Sequence, residues 1–322
     1  MSLLKFKPIL KETLWGGGKL PKIKHIEATS DQIGESWDIS GFPGMQTEVS
    51  EGPYAGTPLN TLVSELKDKL VGKKVYERYG NEFPLLIKFI DASKNLSIQV
   101  HPNDEVAQRQ GHKRGKTEMW YVLPSDDNAH LLCGLNRAIT PEEYRQRVAD
   151  DSITDVIGNY KVQEGDCFFI PAGRIHSIGA GCLLTEIQQT NDLTYRIYDF
   201  KRKDKNGNYR QLHTKEAAES IDYKPEADCR THYTPAKDRR VELVNCPYFT
   251  TSVYDITHEQ SIDTSRLDSF VILIGVGGTA TVTDNEGNSA ELPCGTSLLV
   301  PASATSITLK GKAKVLEVHI SD

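Results

Sequence analysis

A nine-residue segment recurs in this chain at a fixed interval, and that recurrence limits the possible fold more than any other feature. Gly165-Asp-Cys-Phe-Phe-Ile-Pro-Ala-Gly173 aligns with Gly295-Thr-Ser-Leu-Leu-Val-Pro-Ala-Ser303 at an offset of 130 (165 to 295). Each copy has a turn glycine, a short strand-like run, and a Pro-Ala pair. Proline lacks the N–H that a sheet ladder needs, so the pair marks a strand end. Two copies of a strand-and-turn unit predict two related β modules. The other apolar runs agree, being short, β-branched and bounded by turn residues: Leu85–Ile90, Met119–Leu123, Phe270–Ile274 and Val315–Ile320.

Helical signals are fewer. Residues 57–72 read as one helix, with Thr57 as N-cap, Pro58 at the first position and Gly72 as the stop. Leu59, Leu62, Val63, Leu66 and Leu70 keep helical spacing. A second helix starts at Thr140-Pro141 and runs to about Asp150, and a shorter one starts at Thr214. Asn206-Gly207 and Asn285-Glu286-Gly287 read as hairpin tips. The glycine runs 16–18 and 275–278 lack the strand-loop-helix context of a nucleotide loop and read as turns. The expectation is a mainly β chain of two jelly-roll barrels with a few short helices. A first domain over residues 1–234 would carry the helices, and a second would span 235–322 beyond a Pro-containing, charge-rich connector.

With 38 Lys+Arg against 44 Asp+Glu, the net charge of −6 argues against a general nucleic-acid binder. The six cysteines are scattered without a C-x-x-C pair, as expected of small buried residues in a reducing compartment. The N-terminal segment lacks the apolar core of a secretory signal, and no run approaches the roughly 18 apolar residues of a membrane span. A cytoplasmic protein without membrane contact is expected.

The segment Ser97-Ile-Gln-Val-His-Pro-Asn-Asp104 carries the most chemistry. Strand alternation puts Ser97, Gln99 and His101 on one face and Ile98 and Val100 on the other. Glu118 stands beside the buried run Met119–Leu123, and His176 follows the first Pro-Ala. Two imidazoles, a carboxylate and an amide oxygen make a plausible set for Zn²⁺, and the oxygen ligands would also suit iron, manganese or cobalt. The pattern Gly165-x(5)-Pro171-x(4)-His176 resembles the second signature of the cupin barrel, so the chain resembles a double cupin. At the same offset the second copy has Ser306, so only the first barrel is expected to hold metal.

Several blocks together resemble type I mannose-6-phosphate isomerases of the short bacterial form. They are Leu14-Trp-Gly-Gly17, Gly34-Glu-Ser-Trp37, Lys88-Phe-Ile-Asp91, Leu96–Asp104, Gly115-Lys-Thr-Glu-Met-Trp120, Pro171–His176 and Asn191-Asp-Leu-Thr-Tyr-Arg-Ile-Tyr-Asp199. The resemblance implies one zinc held by Gln99, His101, Glu118 and His176, and an active-site arginine at Arg196. It also puts Asp192 and Lys116 at the family's acidic and lysine positions, the two candidates for the general base. Ser97, Lys116 and Arg202 are candidate phosphate donors, and Trp15 and Trp37 candidate walls of a sugar pocket. The implied reaction interconverts mannose 6-phosphate and fructose 6-phosphate through a cis-enediol. Gly115-Lys-Thr-Glu118 departs from the His-Lys-Pro-Glu of long-form enzymes, so a role for that extra histidine does not transfer. The 58 residues between Glu118 and His176 leave no room for the long forms' large helical insertion. The competing readings are a double-cupin metal-dependent dioxygenase, an isomerase for another sugar phosphate, and a non-enzymatic sugar-binding cupin. Lys116 and Arg196 favour the isomerase.

Overall fold

The computed structural model describes residues 3–27, 30–204 and 206–320. The repeat survives as structure. Cys167–Ile170 and Ser297–Val300 are both strands, each entered from a glycine in the left-handed region (Gly165 φ 90°, Gly295 φ 83°). The next strand of each copy opens at the equivalent residue, His176 or Ser306. Each short strand also pairs antiparallel with a counterpart, Ile170 opposite Glu118 and Val300 opposite Val271. The second barrel therefore has valine where the first has Glu118, and serine where it has His176.

The first barrel is two facing sheets. The larger runs in the order Cys167–Ile170, Glu118–Val122, Leu183–Gln189, Leu85–Asp91, Ile33–Phe42, Ile9–Gly17. The smaller runs Ile157–Lys161, His130–Leu135, His176–Ile178, Ile98–Val100, Tyr195–Tyr198. The second barrel is a single curled sheet in which the two 14-residue strands Val271–Asp284 and Ser306–His319 pair along their length. Between the last helix of the first module, Thr214–Ser220, and the strand Arg240–Asn245, the chain makes only isolated bridges, such as Phe168 with Arg230. Among the described residues no helix is long and apolar enough to cross a membrane.

The two modules share one core. A single cluster joins Leu59, Phe83, Ile87 and Met119 to Phe249, Phe270, Ile272 and Val318, all fully buried, with the Phe83 and Phe270 rings 4.5 Å apart. Burying each such ring contributes about 1.5–3 kcal/mol. A buried ion pair adds a polar tie. Lys24 Nζ donates to both Asp38 carboxylate oxygens (2.6 and 2.8 Å) and to the Gly295 carbonyl (2.6 Å).

Three sequence expectations change. The helix read across residues 57–72 is two helices, Leu59–Leu66 and Asp68–Val71, with Pro58 and not Thr57 at the N-cap. Lys67 breaks it with φ 50°, a backbone state that apolar spacing does not reveal. The glycine runs are not turns. Gly16 and Gly17 close the strand Ile9–Gly17, and Gly275–Gly278 lie inside Val271–Asp284 at a register shift. Glycine is needed at Gly278 because a Cβ there would lie 2.1 Å from the Lys312 carbonyl oxygen. The short helices Lys19–Lys24, Lys73–Tyr79 and Asp104–Arg109 went unread. The helix Pro141–Ala149 forms as expected, with Thr140 Oγ1 accepting the Glu143 N–H at 3.1 Å. Thr140→Ala is expected to lower stability by about 1 kcal/mol, seen as a lower denaturant midpoint at unchanged slope.

Candidate metal centre and active-site cleft

Cross-strand register assembles the centre inside the first barrel. In the smaller sheet, Cys133, His176, Gln99 and Arg196 form one row across four strands. In the facing sheet, Ile170, Glu118 and Gln188 form a row, and Phe168, Trp120, Glu186, Lys88 and Trp37 form the next. His101 follows Gln99 by two residues, on the same face as expected. Antiparallel pairing thus brings residues distant in sequence within side-chain reach.

His101, Glu118 and His176 are buried, and one ligand-type atom from each lies within 4.8 Å of the others. Glu118 Oε2 is 3.4 Å from His101 Nε2, and Oε1 is 3.3 Å from His176 Nε2. Both imidazoles are oriented from behind, by Nδ1 contacts of 2.8 Å to the carbonyls of Leu193 and Arg174. A carbonyl only accepts, so Nδ1 carries the proton and Nε2 turns its lone pair to the centre, as metal-ligating histidines do. Neither Glu118 oxygen receives an aligned hydrogen bond although both are buried. Oε2 has only the unaligned Lys116 ammonium 3.0 Å away, and a divalent cation would satisfy both oxygens. Gln99 completes the group, its amide 3.2 Å from His176 Nε2. The donor set fits a divalent metal.

Electrostatics point the same way. Burial, with Lys116 nearby, pushes His101 down to about 3 against the pull of Glu118, and burial also lowers His176. Both rings are neutral at physiological pH, the state that ligates metal. Burial would raise the Glu118 carboxyl, but the Lys116 ammonium beside it holds it well below its usual range.

A cleft of about 390 Å³ opens onto this floor, lined by Trp15, Ser97, Gln99, Lys116, Asp192 and Arg196 among others. Six sequence candidates therefore meet in one cavity. Lys116 Nζ sits deepest, 3.0 Å from Glu118 Oε2 and 3.2 Å from His101 Nε2. Asp192 stands at the rim, its side chain 39% exposed, with Lys11 Nζ 3.8 Å away. Arg196 gives Nη1 to the Gln211 carbonyl at 2.9 Å, while its buried Nε has no partner. Trp37 does not line the cleft; its indole donates to Glu35 Oε2 at 2.6 Å from below.

Arg202 is the exception among the candidates. It points away, donating to the Asn95 carbonyl and to Asp199 Oδ1 (2.5 Å), and it lines a neighbouring cavity. Arg210 lines the cleft in its place.

Four charged cleft residues had no role in the sequence reading: Glu35, Lys88, Glu186 and Arg210. The first three join Lys116 in an alternating chain of charge. Lys88 Nζ is 3.9 Å from Glu35 and 3.3 Å from Glu186, and Glu186 is 4.0 Å from Lys116. Burial raises the Glu186 carboxyl, helped by the Glu118 charge and opposed by Lys116 and Lys88. Despite its own burial Lys88 is raised, because Glu35 and Glu186 flank it. The signal for both was a charge inside an apolar strand run, Leu85–Asp91 and Leu183–Gln189, where it needs a partner or a purpose.

With this geometry in place, the known proteins that the chain resembles are informative. Residues 3–130 match the family model for the phosphomannose isomerase type I catalytic domain, and residues 240–320 match that for the mannose-6-phosphate isomerase cupin domain. Mannose-6-phosphate isomerase ManA of Bacillus subtilis is 32% identical over 98% of both chains. The mannose-6-phosphate isomerase of Streptococcus mutans is 31% identical, covering 97% of this chain and 96% of the relative. The crystal structure of a Bacillus subtilis mannose 6-phosphate isomerase superposes with a TM-score of 0.88 at 29% identity, over 99% of this chain and all of that one. A Salmonella typhimurium phosphomannose isomerase variant, at 16% identity and a TM-score of 0.81, shares the fold alone. A double cupin with a buried His-Glu-His floor, matched end to end by these relatives, belongs to the type I mannose-6-phosphate isomerase family.

Proposed function

We propose that the chain interconverts mannose 6-phosphate and fructose 6-phosphate, using one Zn²⁺ held by Gln99, His101, Glu118 and His176. The observation that supports this best is the placement of a buried His-Glu-His group, in contact with Lys116, beside a cleft that Gln99, Lys116 and Arg196 line. A half-turn of the Gln99 amide exchanges its oxygen and nitrogen, which lets this side chain present an oxygen to the metal.

Moving a proton between C2 and C1 requires an enediolate whose negative oxygens must be stabilised. The bound metal supplies Lewis-acid stabilisation of that charge. Arg196, next to Gln99 across the sheet, adds a fixed guanidinium beside the same oxygens, where its unpartnered Nε–H finds an acceptor. Of the two candidate bases, the buried Lys116 is better placed than Asp192, which lies at the exposed rim. As the neutral amine, Lys116 Nζ would take the proton from one carbon and, as the ammonium balanced by Glu118 and Glu186 on either side, return it to the other. Ser97 and Trp15 line the sugar's path. Glu35 and Lys88 hold Glu186 and Lys116 in register.

The substrate is a small hexose 6-phosphate, with no nucleic-acid or membrane partner, and the free cysteines suit the cytoplasm. The division near residue 234 separates a catalytic module from a supporting one. Relatives across the whole chain are isomerases, so the oxygenase alternative is not favoured. Zinc-loaded protein is expected to turn over mannose 6-phosphate. Chelation should abolish turnover, and added Zn²⁺ should restore it without a change in far-UV circular dichroism. Absence of hexose-phosphate turnover by metal-loaded protein would overturn the assignment.

A further inference from the structure

Beyond Arg196 the cleft carries positive charge that the metal chemistry does not use. Arg210 lines it together with Arg196, and Arg202 is close by. Among the described residues one carboxylate, Asp199, pairs with Arg202 and Arg210. It accepts Arg210 Nε (2.8 Å) and Nη2 (2.6 Å) on its two oxygens and Arg202 Nη2 at 2.5 Å. Burial would raise this carboxyl, but the two arginines hold it below its usual range. Arg196 is lowered by burial and then by Arg210, so these two guanidinium groups repel. Three guanidinium groups with one carboxylate between them call for a further anion.

The arginines differ in what remains available. Each Arg202 nitrogen already donates once, Nε and Nη2 to Asp199 and Nη1 to the Asn95 carbonyl, which turns the group away from the cleft. The bidentate pair with Asp199 takes Nε and Nη2 of Arg210 and leaves Nη1 outside it. This fixes the plane of the guanidinium, so little side-chain entropy is lost when it meets a ligand.

The backbone is held to the same end. Phe200 and Lys201 are consecutive left-handed residues (φ 54° and 51°) in a turn closed by Arg202 N–H to the Asp199 carbonyl at 3.1 Å. Left-handed backbone is unfavourable for non-glycine residues, and the Asp199 ion pairs oppose that cost. Further along, Arg196 N–H donates to His213 Nδ1 and His213 N–H donates to the Arg196 carbonyl, so the segment bearing Arg210 is fastened to the strand bearing Arg196.

We infer that Arg210, fixed by Asp199, binds the 6-phosphate and sets the preference for phosphorylated sugar, while Arg202 serves only to brace Asp199. This rests on the sugar-phosphate reading above. Arg210 is then a substrate-binding residue and Asp199 a positioning residue.

The test uses zinc-loaded full-length protein and glycerol 3-phosphate, a phosphate monoester that binds without being isomerised, titrated by calorimetry. Arg210→Ala is expected to weaken its binding about 10- to 100-fold, the loss of a charge-assisted contact. KM for mannose 6-phosphate should rise by a similar factor, with kcat and zinc content nearly unchanged. Arg210→Lys should fall between Ala and wild type, because it keeps the charge and loses the fork; it also serves if the alanine variant folds poorly. Equal glycerol 3-phosphate affinity in Arg210→Ala and wild type would overturn the inference, as would a fall in kcat at constant KM. Wild-type protein that binds the ester but turns over no hexose phosphate would overturn the isomerase reading and leave the anion site standing.

Discussion

Replacing Glu118 by glutamine is expected to empty the metal centre and reduce turnover by a thousandfold or more. The substitution keeps size and shape, so the loss would be electrostatic. Glu118 is fully buried, and it faces His101 Nε2 and His176 Nε2 at 3.4 and 3.3 Å and Lys116 Nζ at 3.0 Å. It supplies the only negative ligand of the proposed set. A neutral amide there leaves a divalent cation with neutral donors alone and strands the Lys116 ammonium with Glu186 at 4.0 Å. Lewis-acid stabilisation is worth several kcal/mol, and each 1.36 kcal/mol is about tenfold in rate. Zinc per chain, read by elemental analysis, should fall from one toward zero along with activity. Full zinc occupancy in Glu118→Gln would show that Glu118 is not a ligand.

Arg196→Ala should separate chemistry from metal binding. The side chain lies one strand from Gln99 but ligates nothing, so zinc content should stay near one per chain. Its guanidinium acts on charge that appears only during the reaction, and removing one such donor typically lowers kcat about 10²- to 10³-fold. Steady-state kinetics should therefore show the fall in kcat, with a smaller effect on KM than the Arg210 substitution gives. Loss of zinc in Arg196→Ala would instead make Arg196 a structural support of the centre.

The ligand-type residues were legible in the sequence because each depends on short-range pattern. Gln99 and His101 are two apart on one strand, Glu118 opens the next buried strand, and His176 follows a Pro-Ala end whose copy recurs 130 residues later. The same repeat puts Ser306 at the position of His176, and the register adds Val271 at the position of Glu118. Arg210 was not legible. It lies 14 residues beyond Arg196 in a polar segment without periodicity, and the turn at Phe200 and Lys201 with the bridge from Lys203 to Tyr209 folds it back onto the cleft. Arg202 looked equivalent by charge and proximity. Its exclusion depends on which arginine meets the Asn95 carbonyl, a contact spanning 107 residues. Lys88 and Glu186 were visible as charges in apolar strands. Their partnership was not, because it depends on the register between two strands nearly 100 residues apart.

The shared core has a consequence for how the molecule comes apart. Phe83 and Phe270 pack together at the centre, and the Lys24 ammonium reaches both Asp38 and the turn at Gly295. A chain cut between the modules would bare that apolar surface on both pieces, so neither is an autonomous folding unit. The second barrel, with Ser306 and Val271 at the positions of His176 and Glu118, is not dispensable. It acts as the far wall of one cooperative structure, and zinc held at one end should therefore delay the melting of strands at the other.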